Sequence, residues 1–383
     1  MRQAVIVEGI RTPVGKRNGH LKNIRPDDLA ALVIKELVKR SGIDARLIDD
    51  VILGCVSQSG EQAGDIARVA SLIAGLPIEV PGTTVDRQCG SSQQAVHFAA
   101  QAILAGDMDI VIAGGVESMS RVPIGSNYQG APLSNKLKEM YEMIHQGLSA
   151  ERIAEQYGFT REELDEYSLQ SHEKAIKAQE AGFFDKEIMP LEVQLDDGET
   201  VLFSQDAGPR RETTLEALSQ LKPAFKENGR IHAGNASQIS DGAAALLIMS
   251  REKAEELGLK PRFLIHTRVV VGSDPTLMLT GPIPATQKAL EKSGLSIDDI
   301  DVFEVNEAFA SVPLAWLKDT GADPKKLNPN GGAIALGHPL GASGARLMLT
   351  MIHELERTGG RFGLQTMCEG HGMANATIIE RLD

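Results

Sequence analysis

An internal repeat constrains this chain more than any other feature. A helical pattern followed by Ser41-Gly42-Ile43 and Ile48-Asp49-Asp50-Val51 recurs late in the sequence as a helical pattern, Ser293-Gly294-Leu295 and Ile297-Asp298-Asp299-Ile300, with a shorter spacer. Such self-similarity means two copies of one supersecondary unit, each needing a neighbour to cover its apolar face. After each copy a glycine-bearing turn opens a helix, at Cys89-Gly90-Ser91 in the first half and at Gly341-Ala342-Ser343-Gly344 in the second. Corresponding helix starts in two similar halves predict a site shared between them.

Short apolar runs at 51–53, 110–113 and 244–249 are flanked by Gly and alternate with helical patterns such as 29–39, which gives an α/β class. The helix beginning near Ser92 carries Ala95, Phe98, Ala99, Ala102 and Ile103 at helical spacing and stops at Gly106, so that face is expected to be buried. Between the copies, residues 121–230 are more polar, with helix-like stretches at 150–157 and 161–179. Asp196-Asp197-Gly198 reads there as a turn between short strands. This region is expected to be an inserted lid or substrate subdomain.

At 383 residues and 42% hydrophobic, the chain can bury two cores without staples. A net charge of -13 argues against general affinity for nucleic acid, which needs a basic surface. No window approaches the roughly 18 apolar residues that span a bilayer. The opening Met1-Arg2-Gln3-Ala4-Val5-Ile6-Val7-Glu8 lacks the apolar core of a secretory signal and reads as a strand, so a cytoplasmic protein is expected. Cys55, Cys89 and Cys368 are too few and scattered for a disulfide framework and form no CxxC pair. Each is therefore judged alone.

Cys89 stands where a helix should start. The partial positive charge of a helix end and its free N–H groups favour a thiolate, so a lowered pKa is expected, with a buried core cysteine as the bland alternative. His338 sits among glycines in Asn330-Gly331-Gly332-Ala333-Ile334-Ala335-Leu336-Gly337-His338-Pro339. A phosphate loop would need Lys and Ser or Thr there, and no GxGxxG is present; an imidazole that deprotonates a thiol or donates to an oxyanion fits better. Cys368, in Met367-Cys368-Glu369-Gly370-His371-Gly372, suits a second acid-base thiol. Metal binding by Cys368 and His371 is the rival, without a recognisable ligand spacing and so without an expected metal. Asn306 ends an apolar run, where it could orient a water, donate to an oxyanion or cap a helix. Cys55 is expected in the core, and His20, His172 and His353 as solvated or packed.

Together, Cys89-Gly90-Ser91, Asn306-Glu307-Ala308-Phe309, Gly337-His338-Pro339 and Cys368-Glu369-Gly370 resemble the four signature motifs of the thiolases, in the same order and across almost the whole chain. Gly9-Ile10-Arg11-Thr12-Pro13, Gly114-Gly115-Val116-Glu117-Ser118-Met119-Ser120 and Ala233-Gly234-Asn235-Ala236-Ser237 add to the resemblance. It implies two related α/β halves in a five-layered α-β-α-β-α core with an inserted loop domain. The expected bounds are 1–120 plus 231–255 for the first half, 121–230 for the loop domain and 256–383 for the second half. The implied activity is CoA-dependent cleavage of a 3-ketoacyl-CoA to acetyl-CoA and a shortened acyl-CoA, or the reverse Claisen condensation.

By the same resemblance, Cys89 is the nucleophile, His338 activates it, Cys368 is the second acid-base thiol and Asn306 holds a water. That water and His338 form one oxyanion hole; the N–H groups of Cys89 and Gly370 form another. Coenzyme A, a substrate and not a cofactor, lies near Ser237, Arg210, His145, Ala308 and Phe309, and a homodimer or homotetramer is implied. His371 departs from the consecutive glycines many thiolases carry. Gln146 after His145, and Asp86-Arg87-Gln88-Cys89, lean away from strict acetoacetyl-CoA specificity. The alternatives are a ketoacyl-synthase-like condensing enzyme, which would not need Cys368, and a non-catalytic acyl-CoA or lipid-binding protein, which could dispense with its nucleophile.

Overall fold

The computed structural model describes residues 2–382. The repeat is visible in its element order. Helix Pro26–Ser41, a 3-10 turn at Ala45–Leu47 and strand Asp50–Gly54 in the first half correspond to helix Pro282–Ser293, a 3-10 turn at Ile297–Asp299 and strand Val302–Val305 in the second. Each of these strands pairs in parallel with a longer one, Ile110–Ser118 or Phe362–Glu369. Helix Ser91–Ala105 precedes the first of these longer strands, and helix Leu340–Thr358 precedes the second.

The first half-sheet runs Gly82–Val85, Asp50–Gly54, Ile110–Ser118, Ser240–Ser250, Ala4–Arg11. It continues into Phe263–Gly272, Met373–Arg381, Phe362–Glu369 and Val302–Val305. The join is narrow, with Val5 opposite Leu264 and Ile6 opposite Phe263. Because side chains alternate along a strand, each half-sheet is apolar on both faces. Val5, Ile110 and Ile112 meet Leu29, Val33 and Leu37 of the outer helix. On the opposite face, Ile6, Val111 and Ala113 meet the inner helices through Ala95, Ala99, Met348 and Ile352, and Phe263 and Ile379 close that middle layer from the second half-sheet. Phe303, Ile378 and Ala376 pack outward against Ile283, Ala289 and Trp316. The layers therefore run helix, sheet, helix pair, sheet, helix, as expected.

The inner helix Ser91–Ala105 departs from expectation in one respect. Its first turns, Ser91 to His97, are buried all round because they run between the sheets, while Phe98 is 40% exposed and does not share the face of Ala95 and Ala99. Gly106 ends the helix in the left-handed conformation, as its position suggested.

The polar central region does not stand apart. Its helix Gln146–Tyr157 contributes Ala150, Ile153 and Ala154 to the outer core of the second half. Its hairpin, Leu191–Gln194 with Thr200–Phe203 around the expected turn at Asp196-Asp197-Gly198, adds Leu191, Val193 and Phe203 to that of the first. Arg11, fully buried at the end of the first strand, pins this region down. It donates to Glu187 at 2.7 Å and forks onto both oxygens of Asp206 at 2.7 and 2.8 Å. That geometry satisfies the charge without water.

Candidate active site

The two glycine turns converge on one place. Cys89 ends the turn before helix Ser91–Ala105, and His338 precedes helix Leu340–Thr358; both line a cavity of about 600 Å³. The close approach depends on glycine, since a Cβ on Gly341 would stand 2.6 Å from the Val116 carbonyl oxygen. The buried carboxyl of Glu117 then ties the halves together. It accepts from the N–H of Val56 at 2.9 Å, Ser57 at 3.0 Å and Gly341 at 2.9 Å, and from the Gln62 amide at 2.7 Å. In the sequence, Glu117 stands out only as part of the Gly114–Ser120 motif.

His338 is held from both sides. Its N–H is shared between the Gln238 carbonyl at 3.1 Å and Ser240 Oγ at 3.2 Å. Gly337, at φ +98°, has no room for a Cβ beside Ser240. On the ring, Nδ1 lies 2.6 Å from Ser343 Oγ, and Ser343 Oγ donates its hydrogen to the Pro339 carbonyl at 2.8 Å. With that hydrogen committed, Nδ1 must be the donor, which leaves Nε2 as the base. Nε2 is 3.4 Å from Asn306 Nδ2. Burial, reinforced by Arg346, holds the imidazole down to about 3, so it is neutral at physiological pH.

Asn306 is 1% exposed, and Oδ1 has no hydrogen-bond partner among the described residues. It does not cap the following helix, Ser311–Thr320, whose cap position is Ala310. Neighbouring Glu307 anchors the loop by accepting from Tyr167 Oη at 2.9 Å, Ser171 Oγ at 2.7 Å and the Ile334 N–H at 3.1 Å. Cys368 is fully buried near the end of strand Phe362–Glu369. Burial, then the neighbouring Glu369 carboxyl, push its thiol up to about 12.

The expected lowering of the Cys89 thiol is not found. Burial pushes it well above its usual value, and Cys368 and Glu369 add to the rise. The helix end is overridden because burial of the thiol, with Cys368 and Glu369 close by, disfavours its charged form. Cys89 and His338 thus line one cavity as a neutral thiol and a neutral imidazole. Cys55 is fully buried in the core, as expected. His172 is packed and accepts the Arg210 N–H at 3.1 Å through Nδ1, His353 is buried, and exposed His20 stacks on Phe203.

All five residues expected around coenzyme A, namely Ser237, Arg210, His145, Ala308 and Phe309, line the cavity that holds Cys89 and His338. His145 also accepts the Gly147 N–H and stacks on Phe225, whose ring meets Phe309 edge-on. Phe225, Lys16 and Arg17 line the same cavity, although no sequence motif had pointed to them. A second cavity of about 440 Å³ also reaches Cys89, lined mainly by apolar groups including Ile124, Leu133, Met143 and Met278, and touched by Gly370 and His371. Among the described residues, no group of three His, Cys, Asp or Glu side chains could hold a metal ion. Nor is any of their helices long and apolar enough to cross a membrane.

The family model for the thiolase N-terminal domain matches residues 4–252, and that for the thiolase C-terminal domain matches 259–381. The chain is 53% identical to the steroid 3-ketoacyl-CoA thiolase FadA6 of Mycobacterium tuberculosis, covering 100% of this chain and 95% of that protein. It is 48% identical to a 3-ketoacyl-CoA thiolase of Aliivibrio fischeri over the full length of both. Against the crystal structure of the Bacillus anthracis acetyl-CoA acetyltransferase the TM-score is 0.92 at 43% identity, covering 100% of this chain and 99% of that one. Two cores, a thiol and an imidazole lining one cavity at their seam, and family models matching both halves lead to one conclusion: the chain belongs to the thiolase family and is an acyltransferase of the type that cleaves or condenses acyl-CoA thioesters.

Proposed function

We propose that this thiolase works through an acyl-Cys89 intermediate, with His338 as its base and Cys368 as the second acid-base group. The observation that carries the reading is the anchoring of His338 Nδ1 on Ser343, which leaves Nε2 as a proton acceptor in the cavity lined by Cys89. In thiolysis, Nε2 takes the Cys89 proton as Sγ bonds to the 3-keto carbon. The resulting alkoxide collapses, the C2–C3 bond breaks, and the departing acetyl-CoA enolate takes its proton from Cys368. The Cys368 thiolate then accepts the proton of the incoming CoA thiol, whose sulfur attacks the acyl group, and Cys89 leaves and recovers its proton from His338.

Raised thiols and a neutral imidazole suit this order. Neither cysteine is ionised in advance, so charge forms only as bonds change and only where oxyanion donors can meet it. Asn306, through a water, and His338 serve the enolate oxygen; the N–H groups of Cys89 and Gly370 serve the acyl oxygen. Coenzyme A occupies the larger cavity, where Lys16, Arg17 and Arg210 suit its phosphates and Ser237, His145, Ala308 and Phe309 line its path. The chemistry needs no metal or redox cofactor, since two thiols and an imidazole move every proton. The smaller cavity takes the acyl tail, which favours substrates longer than acetoacetyl-CoA. We further place the enzyme in the cytoplasm as a homodimer or homotetramer.

The test is spectrophotometric. Purified protein with free CoA and a panel of 3-ketoacyl-CoA esters should bleach the ketoacyl enolate absorbance, and Cys89→Ala should not. Bleaching that survives in Cys89→Ala would remove the nucleophile from this scheme.

A further inference from the structure

His371 is the one departure from the family motif that the mechanism does not use. It occupies the left-handed conformation at φ +66°, where glycine fits freely and a histidine is uncommon. Its ring lies at the rim of the smaller cavity, and Nε2 is 3.2 Å from the hydroxyl of Tyr128, which arrives from the central region. Both side chains line a cavity that is otherwise mainly apolar, and the same cavity reaches Cys89.

The pair has hydrogen-bonding capacity to spare. If Nε2 carries a hydrogen and donates to Tyr128 Oη, the phenol hydrogen is free for a ligand oxygen. If the phenol donates to Nε2 instead, the Oη lone pairs are free to accept from a ligand hydroxyl. In either tautomer the exposed edge of a mainly apolar cavity offers a polar partner. A plain alkyl tail that reached the rim would cover these groups without replacing the water they lose.

Resting on the acyl-transfer reading above, we propose that His371 and Tyr128 select 3-ketoacyl-CoA esters whose acyl tail carries an oxygen function, a hydroxyl in particular, at the depth of this rim. One hydrogen bond at a partly exposed site corresponds to about fivefold in specificity. The tail is recognised where it passes this pair, whereas the reacting carbons are handled by Cys89, His338 and Cys368.

The test uses the full-length enzyme and matched ester pairs over several chain lengths, each pair differing only in a terminal methyl or hydroxyl group. At one length, the hydroxyl ester should exceed its methyl partner in kcat/KM by about fivefold or more. That ratio should fall to near one in both His371→Gly and Tyr128→Phe, whatever happens to the rate common to both esters. A wild-type enzyme that cleaves both series with no preference at any length overturns the proposal, as does a preference that both variants keep. Failure to cleave either series would instead overturn the catalytic reading on which the proposal rests, and the proposal with it.

Discussion

The two halves share a scaffold but not a task. At the end of strand Ile110–Ser118 the first half carries Glu117, whose carboxyl is consumed by four hydrogen bonds that hold the backbone in place. Near the end of the matching strand, Phe362–Glu369, the second half carries Cys368, whose buried thiol is proposed to shuttle protons. The same contrast holds after the short parallel strands, where Cys55 is core and Asn306 stands beside His338. Duplication supplied two equivalent frames, and chemistry was loaded unequally onto them. In the proposed mechanism the first half gives the nucleophile and its bracing, and the second gives the groups that move protons.

Substitutions can break that asymmetry. Cys89→Ala should have the largest effect, a loss of ~10⁴-fold or more in kcat/KM for thiolysis, read by the enolate assay. Cys368→Ala should still be acylated at Cys89, seen by mass spectrometry of the intact protein. Its turnover should fall by ~10²–10⁴-fold, because the proton relay is lost. Unchanged steady-state thiolysis would remove Cys368 from the scheme.

Acid separates the halves less than it unites them. His97, on the inner helix of the first half, and His338, in the second, are both buried and held neutral, each lowered to about 3 from 6.5. Their folded values lie below the unfolded ones, so their contribution is complete above pH 6.5 and is lost as pH falls toward 3. At pH 5 the cost is about 2 kcal/mol for each histidine, because only the unfolded chain takes up the proton. Denaturant melts at pH 7 and pH 5 should show it, and His97→Gln should flatten part of the slope.

Ser343→Ala frees His338 Nδ1 from its anchor and should cost about tenfold in kcat/KM through misplaced imidazole. Stability measured by denaturant should change far less than activity. Cys55→Ala, at the first-half counterpart of Asn306, should have the smallest effect. A loss of about 1 kcal/mol of stability with near-normal activity would confirm that this copy is structural.

What could be read from the sequence was local. The Cys89 turn, the His338 loop and the Asp-Asp repeat are short patterns whose backbone demands are set by adjacent residues. Glu117 was opaque because one of its partners, the Gly341 N–H, lies 224 residues away. Ser343, only five residues from His338, lies in a recognisable helix start, but its bond to Nδ1 depends on a loop backbone held from outside, where Gln238 and Ser240 accept the His338 backbone N–H. The raised Cys89 thiol is hidden from the sequence for a related reason. A helix end can be inferred from a glycine, whereas the desolvation that outweighs it comes from segments scattered over the chain. Phe98 differs because periodicity does not say how wide the buried stripe is: Ala99, Ala100 and Ile103 farther along the helix are buried, whereas Phe98 lies at the edge of the stripe and is 40% exposed.

The narrow join between the half-sheets, with the inner helices packed across it, also sets an order of events during synthesis. Helix Ser91–Ala105 leaves the ribosome long before Leu340–Thr358, the helix that covers its inner side. Until then, Ala95, Ala99 and the sheet face beneath them stay open to other chains, the condition in which nascent proteins aggregate or recruit chaperones.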